Sequence, residues 1–329
     1  MSRFDAVGIG NALVDVLSHE TDEFLVEHGL AKGGMTLIDA QLAEGLYAAM
    51  GPAVEVSGGS AANTMVGIAS FGGRSAFVGR VSDDELGAVF AHDIRAAGVE
   101  FTTSPAKEGV PSGRCLVVVT PDAKRTMHTF LGASAQLGPA DLDHDLVAGA
   151  QVLYLEGYLW DEPEAKDAFR EAIGGAHAAG NRVAFTLSDG FCVDRHRAEF
   201  LELLQHDVDV LFANEDEIKA LYQVNEFDDA LQAVRDHCEI AALTRSEKGA
   251  VIVTRDEVHV IDAHPVARVV DTTGAGDLFA AGFLHGLTRG YDLGTSGRLG
   301  VLAAAEVISH LGARPEQPLA QLARPLLAG

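Results

Sequence analysis

The chain has 329 residues, 47% hydrophobic and 22% charged, the composition of a soluble globular protein with ample length for a large core. Its 24 Lys and Arg stand against 48 Asp and Glu, a formal net charge of −24. Such a surface repels nucleic acid and anionic membranes, while a small anionic ligand can still be held by a few local donors. Three cysteines, Cys115, Cys192 and Cys238, lie far apart without Cys-x-x-Cys spacing, which argues against a disulfide framework or a zinc site. The opening MSRFDAVGIG lacks a signal-peptide layout, and no apolar run of about 18 residues appears, so a cytoplasmic location is expected.

In chain order, the apolar spacing predicts a first strand over 5–10. It runs into VGIGNALVD, a partial dinucleotide turn whose third glycine is replaced by Leu13, which argues against a nicotinamide fold. Asp15 then stands just past the strand end, at the sheet edge where α/β proteins bind ligands; taken alone, a solvated loop acid is the simpler reading. The segment 34–38 has strand character with no helix before it. SGGSAANTM, residues 57–65, places two glycines before a predicted helix over 61–71. Gly58 and Gly59 let backbone approach a ligand, and Asn63 offers both a donor and an acceptor to sugar hydroxyls; a helix cap is the structural alternative.

A strand over 75–79 and a helix over 83–97 follow, then strand-like segments 114–120 and 124–131, again without a helix between them. Beyond these the pattern predicts strands over 152–155, Arg182–Thr186, 208–212 and Ile240–Thr244, with helices over 164–179 and Glu215–Tyr222. In ANEDE, Asn214 and Glu217 have capping-box spacing, and at a strand end they could also hold a hydrated Mg²⁺ with phosphate oxygens. Segments 250–254 and 258–262 read as a hairpin. The alternation implies an α/β fold with a doubly wound, mainly parallel sheet. The segments without helices suggest a small antiparallel sheet beside it.

DTTGAGD, residues 271–277, carries the strongest signal. Two glycines precede an amphipathic helix, so the amides of Ala275, Gly276 and Asp277 form a candidate anion hole with the helix dipole behind it. A carboxylate beside that hole fits a base for an attacking hydroxyl, with the amides stabilising a transferring phosphoryl group. A plain helix-terminal acid would not need Gly-Ala-Gly before it.

Together GGSAAN and DTTGAGD resemble the two signatures of the ribokinase-type (PfkB) carbohydrate kinases. The resemblance runs through GIGNALVD, PSGRCLV, LYLEGYL, ANEDE and AAAEVISHLGA. Within that family GNALVDV, LYLEGYL and VAFTLSDGF are similar to the adenosine kinase branch. The resemblance implies one ribokinase-like domain over 1–329 with a small β lid inserted at about 14–38 and 108–132. It implies ATP, Mg²⁺ and, beside the DTTGAGD loop, K⁺. It assigns ribose hydroxyls to Asp15, Gly59 and Asn63, the base to Asp277 and the anion hole to Gly274, Ala275 and Gly276. Asn214 and Glu217 would organise metal and phosphates, and Arg125 would reach from the lid over the transferred phosphate. The nucleobase would rest among Met35, Leu37, Cys115, Leu131 and Leu159. The nucleotide would pass Thr244, Ser246 and Gly249, in a stretch where many relatives have Thr-x-Gly and this chain has Ser246. Leu159 stands where the branch has an aromatic platform, between Tyr158 and Trp160.

The leading expectation is therefore an ATP-dependent kinase of a nucleoside 5′-hydroxyl, adenosine to AMP. A kinase of a free sugar such as ribose or fructose is the alternative, and a catalytically silent ligand-binding protein on the same fold is the third reading. A monomer and a homodimer both remain open, the lid edge offering a pairing surface.

Overall fold

Thirteen strands appear in chain order among the described residues: Phe4–Ile9 (β1), Leu13–His19 (β2), Met35–Leu37 (β3), Ala53–Gly58 (β4), Ser75–Val78 (β5), Gly113–Val119 (β6) and Arg125–Phe130 (β7), then Ala150–Glu156 (β8), Arg182–Thr186 (β9), Val210–Asn214 (β10), Ile240–Thr244 (β11), Ala250–Val253 (β12) and Val258–Ile261 (β13). The computed structural model describes residues 2–122 and 124–328. Met1, Ala123 and Gly329, which belong to the expected 1–329 domain and, for Ala123, to its second lid segment, lie outside the described residues.

The main sheet has eight strands in the order β13-β12-β11-β10-β9-β8-β1-β5. All pairs from β5 to β11 are parallel, and β12 and β13 close the far edge as the expected antiparallel hairpin. Apolar residues bury both faces. In β8, Val152 and Tyr154 enter one core while Leu153 and Leu155 enter the other. Helices Ser60–Ser70, Ala275–Thr288 and Leu293–Val307 cover the first face, and helices Pro163–Ala178, Gly190–His206 and Glu215–Tyr222 the second. Both faces covered by helices is the arrangement that parallel sheets require. The chain leaves β1 for β5 on one side and returns to β8 on the other. The switch point therefore lies between β1 and β8, where α/β folds bind ligands.

The second sheet has five strands, β3-β7-β6-β2-β4. It is mixed, not antiparallel as expected, because β2 runs parallel to β6 and β3 parallel to β7. Asp15 does not lie in a loop after β1: it sits inside β2, opposite Cys115 of β6. The sheet also includes β4, beyond the segments expected for it. One face packs through Val14, Val16 and Leu116 on the main core, with Ala43 and Leu46 of the helix Ala40–Ala49. The opposite face carries Leu13, Asp15, Cys115, Val117, Met127 and Thr129, which all border one cleft. Among the described residues no helix is long and apolar enough to cross a membrane.

Candidate active site

The cleft, of about 520 Å³, lies between this face and the C-terminal ends of the parallel strands. That volume suits a small-molecule site. Asn11 after β1, Glu156 ending β8, Thr186 ending β9, Asn214 ending β10 and Thr244 ending β11 all reach it.

Two short helix starts form its floor. Gly274 caps the helix Ala275–Thr288 with φ of 78°, and a side chain there would meet Ala313 Cβ at 2.8 Å, so glycine is required on both counts. Gly276 differs: no atom lies within 4 Å of where its Cβ would be, so it leaves open space above the helix start. Gly59 caps the helix Ser60–Ser70 with φ of 103°, and a Cβ there would lie 2.1 Å from the carbonyl oxygen of Asn11. Asn63 is therefore no cap; it sits one turn inside.

Asp277 joins the two starts. Ser60 Oγ donates to its Oδ1 at 2.7 Å and Asn63 Nδ2 to its Oδ2 at 2.9 Å. Burial raises its pKa, while Ser60, Asn63 and Arg314 pull it back down. Asn63 Oδ1 is buried with no hydrogen-bond partner among the described residues, although Asn63 borders the cleft. A buried orphan acceptor of this kind calls for a donor, and a ligand hydroxyl would supply one.

Above the floor, burial pushes the Asp15 carboxyl up to about 6 against the pull of Arg314 and Arg125. Arg125, the first residue of β7, bonds Asp271 and donates to Thr273 Oγ1 at 2.8 Å, so it spans from the small sheet to the DTTGAGD loop. On the other side, Asn214 and Glu217 do form the capping box: Glu217 accepts from the Asn214 amide at 2.9 Å and from its Nδ2 at 2.5 Å. Both also border the cleft. Glu217 is 6% exposed, and burial lifts its carboxyl to about 7.

Most of the sequence-predicted residues thus converge: Asp15, Gly59, Asn63, Met35, Leu37, Cys115, Leu131, Arg125, Asn214, Glu217, Thr244, Gly274, Ala275, Gly276 and Asp277 share one cleft. Three do not reach it. Leu159 is 1% exposed in the second core, and Tyr158 borders the cleft in its place. The cause is the 3₁₀ turn Gly157–Asp161, in which successive side chains point about 120° apart. Ser246 and Gly249 lie in the turn after β11, away from the cleft walls, and Gly249 is fixed by its backbone, with φ of 82° and the Ile261 carbonyl 2.0 Å from a Cβ position.

Sequence reasoning missed three other residues. Glu156 is fully buried and accepts from Asn11 N, Asn11 Nδ2 and Ala61 N at 2.7, 2.9 and 2.8 Å, tying β1, β8 and the Ser60 helix together. Phe191 borders the cleft while 75% exposed. It stands at the end of VAFTLSDGF, in the first turn of the helix that follows β9, and an aromatic at that helix start was the available signal. Arg314 donates to the Ser57 carbonyl beneath the floor at 2.6 Å, and no local pattern marks it.

A base candidate beside a glycine-capped helix start, facing a cleft at the strand ends, is equipped for transfer to a hydroxyl. The sequence pattern of pfkB family carbohydrate kinases matches residues 30–320. The chain belongs to the pfkB family. As a PfkB kinase it is a phosphotransferase with an alcohol acceptor, and ATP and Mg²⁺ come with that membership. The structure is similar to that of an adenosine kinase from Sinorhizobium meliloti, 52% identical over 98% of this chain and 99% of that one, with a TM-score of 0.91. It is also similar to a probable sugar kinase from Rhizobium etli, 49% identical over 99% of both chains, with a TM-score of 0.92. The adenosine kinase of Saccharomyces cerevisiae is 29% identical over 93% of this chain and 95% of its own length. The PfkB core is the doubly wound sheet with its small second sheet, as expected.

Proposed function

We propose that this PfkB kinase phosphorylates the 5′-hydroxyl of a nucleoside, adenosine to AMP, with ATP as donor. The observation that carries this reading is the apolar wall that the small sheet presents around Asp15. Met35, Leu37, Val117, Met127 and Leu131 line it from the small sheet, and Tyr158 and Phe191 offer aromatic surfaces across the cleft. A free sugar would leave this wall wet, whereas a flat purine would cover it. The 52% identity to an adenosine kinase supports the same reading.

In this reading Asp15 and the free Oδ1 of Asn63 take sugar hydroxyls. Asp277 accepts the proton of the 5′-hydroxyl as its oxygen bonds to the γ-phosphorus, the bond to the bridging oxygen breaks, and ADP leaves. The amides at the start of the Ala275 helix receive charge developing on the transferred group. Arg125, which bonds Asp271 and Thr273 of the same loop and borders the cleft, would meet it once released from Asp271. The small sheet then serves as the lid, with β2 and β4 included.

Among the described residues no group of three or more His, Cys, Asp or Glu is arranged to hold a metal ion. Mg²⁺ needs no such cage, since it keeps water and is held by one or two carboxylates plus substrate phosphates. Glu217 fits that role: it is buried, borders the cleft and has no cationic partner among the described residues, so a cation would offset the burial that raises its pKa. Mg²⁺ there would neutralise phosphate charge. Glu217→Gln keeps a capping-box residue, because glutamine serves at that position too. Its half-saturating Mg²⁺ should rise about 10- to 100-fold at fixed ATP. The wild-type carboxyl, with a folded pKa raised to about 7, stabilises the fold fully at low pH and loses that contribution as pH rises through 7. The variant should therefore lose less melting temperature than wild type between pH 6 and 8. An unchanged metal response with a lower melting temperature at every pH would leave Glu217 a cap and nothing more.

The substrate test is a panel. Covering about 100–150 Å² of apolar wall at about 25 cal/mol per Å² gains about 2–4 kcal/mol. That is about 30- to 1,000-fold in affinity. The kcat/KM for adenosine should exceed that for ribose by at least about 30-fold. The similarity to a probable sugar kinase keeps the free-sugar reading in view. Ribose or fructose matching adenosine would install it instead.

A further inference from the structure

Beneath the floor, Arg314 makes four hydrogen bonds to one short stretch. Its Nε and Nη2 donate to the Ser57 carbonyl at 3.0 and 2.6 Å, Nη2 to Ser57 Oγ at 2.9 Å, and Nη1 to the Ala62 carbonyl at 3.4 Å. Ser57 is the last residue but one of β4 and Ala62 lies in the first turn of the Ser60 helix, so the guanidinium clamps the turn that presents Ser60 and Asn63 to Asp277. The same turn presses on Asp15: a Cβ at Gly58 would fall 2.5 Å from Asp15 Oδ2. The two residues before Arg314 brace the opposite helix start. Gly312 N donates to Asp271 Oδ2 at 2.9 Å, and Ala313 packs on Gly274. The tripeptide 312–314 thus touches both halves of the floor.

Its charge has few counterparts there. The carboxylates that act most on Arg314 are Asp93, then Asp15, then Asp277. Asp93 is already engaged by Ser57 N and Oγ at 2.8 and 2.6 Å. Asp15, Glu156, Glu217, Tyr154 and Tyr158 lie near enough to Asp277 for its charge to push each of them upward. Asp271 and Arg125 act on Asp15 from the loop and the small sheet. Arg314 is the cation that lowers Asp277, and it is the largest cationic influence on Asp15.

We infer that Arg314 is a positioning residue of the phosphotransfer site: it clamps the 57–62 turn that holds Ser60 and Asn63 against Asp277, and it supplies a positive charge to the floor. This rests on the reading of Asp277 as the base. A lysine here would keep the charge and lose the clamp, and a glutamine would lose the charge.

The experiment is the pH dependence of kcat and kcat/KM for wild type, R314K, R314Q and D277N, with ATP, Mg²⁺ and whichever of adenosine or ribose wild type uses better. R314Q should move the acid limb upward by about one pH unit, the lower end of what a lost opposite charge does, so that activity at pH 6 falls more than activity at pH 8. R314K should keep the wild-type limb with a lower kcat at all pH values. R314M is the second neutral variant if R314Q does not fold. Equal loss at every pH in R314Q, or the same shift in R314K, would reduce Arg314 to a strut and overturn the inference, as would failure of both neutral variants to fold. Full turnover in D277N would instead fault the reading of the base, whatever Arg314 does.

Discussion

Replacing Asp277 with Asn is expected to lower kcat by about 10²- to 10⁴-fold while KM for the acceptor changes little. The size follows from what a positioned general base contributes. The small change in KM follows from the site. Asp277 is held by Ser60 Oγ at 2.7 Å and Asn63 Nδ2 at 2.9 Å, and the unpartnered Asn63 Oδ1 lies in the same side chain. An amide at 277 can still accept from Ser60, and a flipped Asn63 can accept from it while its Nδ2 turns to donate to the sugar hydroxyl, so the floor keeps its shape. The pH dependence gives a second reading. Burial raises the Asp277 carboxyl above the ordinary aspartate range, so wild-type activity should fall on an acid limb displaced upward. In the variant, residual activity should not follow that limb. A folded carboxyl with a raised pKa stabilises the protein at low pH and loses that contribution as pH rises through it. The variant should therefore match or exceed the wild-type melting temperature at pH 8. Turnover within a few-fold of wild type would remove Asp277 from the chemistry.

The parts of the fold legible in the sequence were those whose local pattern and final environment agree. β8, β10 and β11 are continuous apolar runs because helices cover both faces, and DTTGAGD announces a helix start that only glycine can cap at residue 274. β2 and β4 were missed for the opposite reason. LVDVLSH and AVEVSG belong to a one-sided sheet, and polar residues fall among their apolar ones. In β2 the alternate face meets the cleft, which places Asp15 there. Arg314 was invisible because its meaning is entirely non-local: its partners Ser57 and Ala62 lie 257 and 252 positions earlier. Glu156 was missed in the same way, 145 positions from Asn11. Leu159 shows a different failure. The segment 157–161 does reach the cleft, but its 3₁₀ turn decides which of three neighbouring side chains borders it.

That last error makes a sharp prediction. Leu159→Asp should abolish the fold and leave no selectivity to measure. Leu159 is 1% exposed and packs in the core that contains Trp160, Phe169, Phe185 and Phe200. Removing the leucine side chain alone costs about 2–5 kcal/mol. A carboxylate without a partner in that core adds several more, or must take up a proton to stay there. The sum approaches the whole stability of a typical domain, about 5–15 kcal/mol. The expected result is insoluble protein, or a melting transition lost below the assay temperature. Phe191→Ala is the informative contrast. Phe191 is 75% exposed, so its truncation should change stability by only about 0.5 kcal/mol or less. If it stacks on the base, the adenosine-to-ribose ratio of kcat/KM should fall by about 5- to 10-fold, the loss of an aromatic contact worth about 1–1.5 kcal/mol. Circular dichroism melts beside the two-substrate assay separate the cases. A folded Leu159→Asp protein with reduced adenosine preference would return Leu159 to the cleft and displace Phe191 from the role given to it.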